Sequence, residues 1–182
     1  MELYIGLGIA AIIVIWGIIL YNRLVLLRNR ARNNWSQIDI LLKNRFDLVP
    51  NLVDTVSAYM TYEKETLTRL TEMRTKFASV DSAQDKAAIN GEMSGVLGRL
   101  IAVSENYPDL KASENFLYLK QQLAELEDKV RFGRQFYNDT VEAFNTAVQS
   151  VPTNIIASLF GFRELTFYHV DEAEKATPRI KL

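Results

Sequence analysis

The sequence predicts an all-α protein, in which an N-terminal transmembrane helix is followed by a long antiparallel helical bundle of the four-helix type. Three observations predict this class. Residues 3–21 carry no charged side chain. Apolar residues then recur at alternating steps of three and four, which is the period of an amphipathic helix. Alternating strand patterns are almost absent, so the helices have only each other to pack against.

The first element is the apolar segment, which we assign as a transmembrane anchor over residues 1–22. Its 19 uncharged residues lie between Glu2 and Arg23. At about 1.5 Å per residue, a helix of this length nearly spans a hydrocarbon core of about 30 Å. A cleaved signal peptide would need positive charge before the apolar stretch, whereas here an acid precedes it and the bases follow. We therefore expect the helix to be retained.

Residues 23–34 form the basic start of the next helix. The charges between Glu2 and Asp39 are all arginines on the C-terminal side of the span: Arg23, Arg28, Arg30 and Arg32. The positive-inside rule then places the short N-terminus outside and the large domain in the cytoplasm. Basic residues beside a span also attract anionic lipid, so the bilayer itself is an expected partner.

Residues 35–151 carry the apolar stripes of the bundle. One helix ends near Arg45 and the next begins at Asp47, or a single helix kinks at Pro50. The second helix is expected to continue to Ser79, since its stripe fades only there. The remaining breaks are the small polar residues 79–83, the pair Pro108 and Asp109 between the third and fourth helices, and Pro152 at the end of the fourth.

Some residues on these stripes are unusual. Arg45 and Glu63 fall in phase with the apolar positions, and we expect them to pair or snorkel at the rim of the bundle because an unpaired buried charge is costly, with a buried polar contact as the alternative. Gly133 lies on the stripe of the fourth helix, where it indicates a close helix crossing. The same phasing would also suit a coiled-coil homo-oligomer.

Residues 152–182 change in character. A cluster of large apolar side chains around Gly161 precedes a polar tail that begins at Asp171. We expect the apolar part to fold back and cap one end of the bundle, with a partner surface or an interfacial membrane contact as alternatives. The candidate partner surface consists of Phe160, Phe162, Phe167 and Tyr168.

The composition excludes several kinds of active site. The chain has no cysteine and one histidine, His169, so it lacks a thiol nucleophile, a cysteine-ligated metal and the paired histidines of di-iron bundles. Phosphate-binding loops and serine-hydrolase motifs are absent. The acidic stretch 125–128 is interpreted as a solvated helix face. A net charge of -1 gives no field that would attract nucleic acid. We therefore expect no catalytic residues, cofactor or metal.

One polar set remains informative. If the bundle brings their helices together, Arg45 or Arg134 could pair with Asp47 or Asp139. Such a network most simply fixes the register of the helices. The functional alternative is a polar groove that receives a peptide or a partner helix.

Four motifs carry a family resemblance: W-x-Q-I-D at 35–39, DLVPNLV at 47–53, RQFYND at 134–139 and NIIASLFGF at 154–162. With them the chain resembles the LemA family over nearly its whole length. The resemblance implies a single-pass protein of the bacterial inner membrane with a helical bundle and no family catalytic residues. Relatives are linked with magnetosome membrane formation, envelope proteins and membrane metalloproteases, so a partner of one of the latter two kinds is expected.

Two functions follow as hypotheses. The first is a non-enzymatic membrane-anchored adaptor or scaffold of the cell envelope, which would expose apolar surface near Phe160 or along a bundle stripe. The second is a membrane-bound ligand sensor or enzyme. It would have a water-accessible groove lined by polar residues such as Arg45 and Asp139.

Overall fold

The computed structural model describes residues 1–60 and 62–168. Within them the chain forms helices and no strand, which confirms the all-α prediction. The helices are α1 (Glu2–Asp47), α2 (Val49–Ser57), α3 (Lys64–Ser79), α4 (Ala83–Ser104), α5 (Pro108–Lys111), α6 (Glu114–Gln149) and α7 (Thr153–Leu159). His169 and the predicted polar tail lie outside the described residues.

Helix α1 contains the predicted anchor and continues far beyond it. Among the described residues, it is the helix long and apolar enough to cross a membrane. Side chains such as Leu3 and Ile12 are 72% and 67% exposed. Packing inside the protein therefore does not account for their apolar character, whereas a surrounding bilayer does. Since α1 runs without a break to Asp47, the span and the first helix of the domain are one element.

The predicted break near Pro50 is confirmed, although Asp47 ends α1 instead of beginning α2. Helix α1 ends at Asp47, and Pro50 occupies the first turn of α2, where its missing N–H is no loss. The expected continuation to Ser79 is wrong, because α2 ends at Ser57 and α3 begins at Lys64. The side chain of Met60, in the turn between them, is 1% exposed. A buried apolar contact thus holds this turn, with neither Gly nor Pro to mark it in the sequence.

The later helices follow the sequence signals closely. Ser82 caps α4, accepting a hydrogen bond from the backbone N–H of Asp85 at 3.4 Å. Pro108 opens the short α5, and α6 ends three residues before Pro152. The predicted third and fourth helices therefore correspond to α4 and α6.

The described chain divides into two compact units. The first, unit A, consists of residues 1–36 and 134–167. It pairs the first part of α1 with the second part of α6 and with α7. The rings of Trp35 and Tyr137 meet edge to face at 5.8 Å. Leu24 and Phe144 share one buried cluster. Contacts therefore move toward the N-terminus of α1 as α6 proceeds, which makes the two segments antiparallel.

The second, unit B, consists of Gln37–Gly133 together with Tyr168. Its core includes Phe46 of α1, stacked on Phe77 of α3 with ring centroids 4.2 Å apart. A side-chain carbon built on Gly133 would lie 3.1 Å from Cγ1 of Ile38. The predicted close helix crossing at Gly133 is thus confirmed, since α1 leaves little room there for a side chain.

Candidate functional site

Unit B contains a buried polar cluster centred on Arg45 of α1. Its side chain is 3% exposed, so the expected position at the rim is wrong and the alternative of a buried polar contact is confirmed for this residue. The guanidinium forms an ion pair with Glu127 of α6 and donates hydrogen bonds to Asn90 and Ser94 of α4, the latter at 3.0 Å. Ser94 also donates to the Glu127 carboxylate at 3.2 Å. The cluster therefore ties three helices together at one level.

The cluster is suited to fixing helix register rather than to chemistry. A buried Arg is stabilised only when its charge is paired and its N–H groups have acceptors, so α4 and α6 must present Asn90 and Glu127 at matching heights. Asn90 is fully buried. The geometry leaves Arg45 itself buried among protein partners, while Glu127 is 34% exposed.

A second polar group borders a cavity in unit B. Lys86 of α4 forms an ion pair with Asp39 of α1 at 2.7 Å and lies 5.4 Å from the centroid of the Phe77 ring. The neighbouring cavity has a volume of about 450 Å³. Three bases and three acids are among its lining residues: Lys43, Arg74, Lys86, Asp39, Asp47 and Asp81. Four of these charges form the ion pairs Lys43–Asp47 and Lys86–Asp39, so the lining carries both signs in nearly balanced form.

In the structure, the members of the predicted polar network lie in different surroundings. Arg45 takes Glu127 as its acidic partner, whereas Asp47 forms an exposed i, i+4 pair with Lys43 at 3.3 Å. Arg134 and Asp139 belong to unit A. There Asp139 lines a cavity of about 710 Å³.

Sequence reasoning missed Glu127, which it treated as part of a solvated face. The signal was present, because Glu127 lies four residues after Leu123 and three before Val130, both buried. An acid in phase with an apolar stripe indicates a buried or partly buried charge. The same phase argument that singled out Arg45 therefore indicates that Glu127 is partly buried, without showing which base it pairs with.

In unit A, the apolar segment after α7 folds back onto α1 and α6. Phe162 is 7% exposed and packs against the rings of Phe144 and Tyr21 at 6.3 and 5.7 Å. Asn145 brackets Leu165, donating to its carbonyl at 2.9 Å and accepting from its N–H at 2.8 Å. The segment therefore completes the core of this unit.

Tyr137 fastens the same segment further along. Its hydroxyl donates to the carbonyl of Thr166 at 3.0 Å. Burial raises the pKa of Tyr137 above its ordinary value of 10.0. The phenol is thus held in its neutral, donating form through the whole physiological pH range.

The four residues of the candidate partner surface divide into two pairs. Phe162 and Tyr168 are buried, each 7% exposed, while Phe160 and Phe167 are 57% and 39% exposed. Only the second pair is available for contact in this conformation. The segment therefore forms core and surface at once.

The juxtamembrane arginines also differ from one another. Arg23, Arg30 and Arg32 are exposed. The guanidinium carbon of Arg28 lies 4.8 Å from the centroid of the Phe162 ring, a cation–π distance. Three of the four arginines thus remain accessible to lipid headgroups, and Arg28 helps to hold the folded-back segment.

Among residues 1–60 and 62–168, no group of three or more acids or histidines is placed to hold a metal ion.

Comparison with known proteins bears on the family of the chain. A sequence model described as the LemA family matches residues 34–182. This chain belongs to the LemA family. The match begins after the membrane anchor, so the family pattern covers the helical domain.

Individual relatives agree with this assignment. The protein LemA of Metamycoplasma hominis is 26% identical over 155 residues, which cover 85% of this LemA-family chain and 71% of that relative. The magnetosome protein MamQ of Magnetospirillum gryphiswaldense is 21% identical over 175 residues, and magnetosome protein MamQ 2 of Paramagnetospirillum magneticum is 23% identical over 174. The chain spans 64% of the length of each of these two magnetosome proteins.

Proposed function

We propose that this LemA-family chain is a non-enzymatic, membrane-anchored adaptor or scaffold of the bacterial cell envelope. The observation that carries the proposal is the continuity of α1 from Glu2 to Asp47. No linker separates the span from the rest of unit A, because both belong to α1. The position of the span therefore acts directly on this unit, which suits a scaffold that works at the membrane. The names of the relatives, LemA and MamQ, state no reaction, which is in keeping with this role.

A surface on α6 is the proposed site of contact with a protein partner. In unit B the side chains of Tyr118 and Phe132 are 62% and 54% exposed. They are 14 residues apart, so at about 100° per residue they lie on nearly the same face of the helix. Gln122, Glu125 and Lys129 lie between them. Aromatic anchors with a polar surround are typical of interfaces between proteins.

The proposed partner is a membrane or envelope protein, a membrane metalloprotease being one such class, or a second copy of the chain. To test for this partner, a photo-crosslinking amino acid replaces Tyr118 or Phe132 in native membranes. As a control, the same amino acid replaces Glu72 on α3. Specific adducts at the first two positions, absent at the third, support the adaptor. An adduct of twice the mass of the chain identifies a homo-oligomer. Adducts no stronger than those at position 72 refute this surface.

The proposed topology has the N-terminus outside the inner membrane and the helical domain in the cytoplasm, as the four arginines predict. Because the chain has no cysteine, a Tyr62→Cys variant carries a single thiol, at a side chain that is 91% exposed. A membrane-impermeant maleimide should label it only after cells are lysed. Labelling in cells with an intact inner membrane would reverse the topology.

A ligand sensor is the second candidate, favoured by the cavity next to Lys86 and Asp39. Its lining of three bases and three acids and its volume of about 450 Å³ suit a small zwitterionic molecule. Screening such compounds by thermal shift, with Arg74→Ala as the control for this cavity, tests it. A shift that is lost in the variant supports a sensor, and no shift across the set counts against it.

A further inference from the structure

The outer face of α7 is apolar where a water-exposed helix would be polar. Ile155 and Leu159, four residues apart on one side of α7, are 65% and 74% exposed, and Val151 just before the helix is 80% exposed. The inward face carries Thr153 and Ala157, which are 6% and 2% exposed, and Ile156, which packs against the buried cluster. The helix therefore exposes large apolar side chains on the face that is polar in helices bordered by water.

The tip formed by Val151, α7 and Phe160 lies against the part of α1 that we assign to the membrane. A side-chain carbon on Gly17 would lie 3.8 Å from Cδ1 of Ile156. The rings of Tyr21 and Phe160 are 4.7 Å apart. Both α1 residues belong to the uncharged stretch 3–21, so the exposed face of α7 continues the apolar surface of the span.

The charged residues near the tip indicate how deep the tip lies below the membrane surface. Gly17 precedes Arg23 by six residues, which is about 9 Å along a helix. Arg23 lines the cavity beside the tip together with Asp139 and Glu142. The chain between Glu142 and Arg163 has no charged residue. Apolar faces of interfacial helices are buried about 5–10 Å into the boundary between headgroups and acyl chains, and the tip lies at that depth when Arg23 is at headgroup level.

From these contacts we propose that the tip formed by Val151, α7 and Phe160 inserts into the bilayer beside the transmembrane helix. The tip contacts the acyl-chain region of the leaflet next to Arg23. Free interfacial helices need a cationic face to reach a membrane. This tip needs none, because α1 already holds it at the surface. The inference rests on the anchoring of α1 in a membrane, and its test separates the two.

The test uses the full-length chain in vesicles of phosphatidylcholine and phosphatidylglycerol that contain lipids spin-labelled on the acyl chain. Single-thiol variants Ile155→Cys and Leu159→Cys carry a fluorescent probe whose emission the spin label quenches. Ile18→Cys in the span is the positive control. Phe136→Cys is the negative control, since its side chain is 64% exposed in the same unit. It adjoins Tyr137, which meets Trp35, about 27 Å along α1 from Gly17.

Insertion predicts quenching at positions 155 and 159 comparable to that at position 18 and several-fold greater than that at position 136. Quenching at position 18 alone overturns the insertion while leaving the anchor intact. The absence of quenching at all four positions refutes the anchor. Probes at positions 155 and 159 that are shielded from aqueous iodide but not quenched by lipid show that a protein surface covers the tip, which also overturns the proposal. These substitutions lie on exposed side chains, and circular dichroism checks that each variant is folded.

Discussion

Removing the acidic partner of Arg45 should destabilise unit B far more than removing the partner of an exposed lysine. Breaking a fully buried ion pair costs about 3–5 kcal/mol, because the remaining charge has lost both its partner and its water. Arg45 is 3% exposed, but the Glu127 side chain is 34% exposed. Water can therefore enter in place of Glu127, and Asn90 and Ser94 remain as neutral partners. We expect Glu127→Ala to cost about 2–4 kcal/mol.

The matched control is Asp47→Ala, which also removes the acid from an ion pair on the same helix as Arg45. Lys43 and Asp47 are 73% and 52% exposed, so this pair should contribute only about 0.5 kcal/mol. Urea unfolding of the full-length protein in detergent micelles, followed by circular dichroism, measures both variants. The micelle keeps the apolar span helical, so the transition reports on the rest of the chain.

A compensating variant sharpens this test. Arg45→Met combined with Asn90→Leu and Glu127→Leu removes both charges together with the buried amide that accepts from Arg45, and fills the space with apolar side chains. Such replacements of a whole buried network are often neutral or stabilising, so the triple variant should be at least as stable as the parent protein. Equal, small losses for Glu127→Ala and Asp47→Ala would refute the reasoning, since they would mean that the Arg45 charge is solvated in the folded protein.

Three further predictions concern unit A. Phe162→Ala should cost about 3–5 kcal/mol as a buried aromatic truncation, whereas Phe160→Ala should change the urea midpoint in micelles little. Asn145→Ala should cost about 2–3 kcal/mol, because it removes two hydrogen bonds to Leu165 and leaves buried backbone groups unpaired; hydrogen exchange at Leu165 should accelerate. Because burial raises the pKa of Tyr137, its contribution should be complete below about pH 10 and decline as the pH rises through the folded-state pKa. Tyr137→Phe should lack that alkaline loss in a pH series of urea midpoints, and an equal loss in the variant would assign it elsewhere.

Much of the fold follows from the spacing of apolar residues and from the residues that cap or break helices. The span, the break at Pro50, the cap at Ser82 and the long helix before Pro152 are local features, and the sequence signals for them are local as well. The break between α2 and α3 is not local. It coincides with the burial of Met60, whose side chain is 1% exposed, and neither Gly nor Pro marks it.

Less of the candidate sites could be predicted from the sequence. The phase of Arg45 could be read from its helix, but its partner could not be chosen without knowing which helices meet at that level. The exposed face of α7 was hidden for another reason. A run of apolar residues indicates burial in general, and only the structure distinguishes Phe162, which is in the core, from Leu159, which is not.

The continuity of α1 couples the thickness of the bilayer to unit A. A span of 19 residues is about 28 Å long at helical rise, slightly less than a hydrocarbon layer of about 30 Å, and a short span is matched by local thinning of the bilayer. No loop separates the span from Leu24, which belongs to the buried cluster of unit A. A thicker membrane therefore draws that cluster toward the bilayer, where a flexible linker would have extended instead.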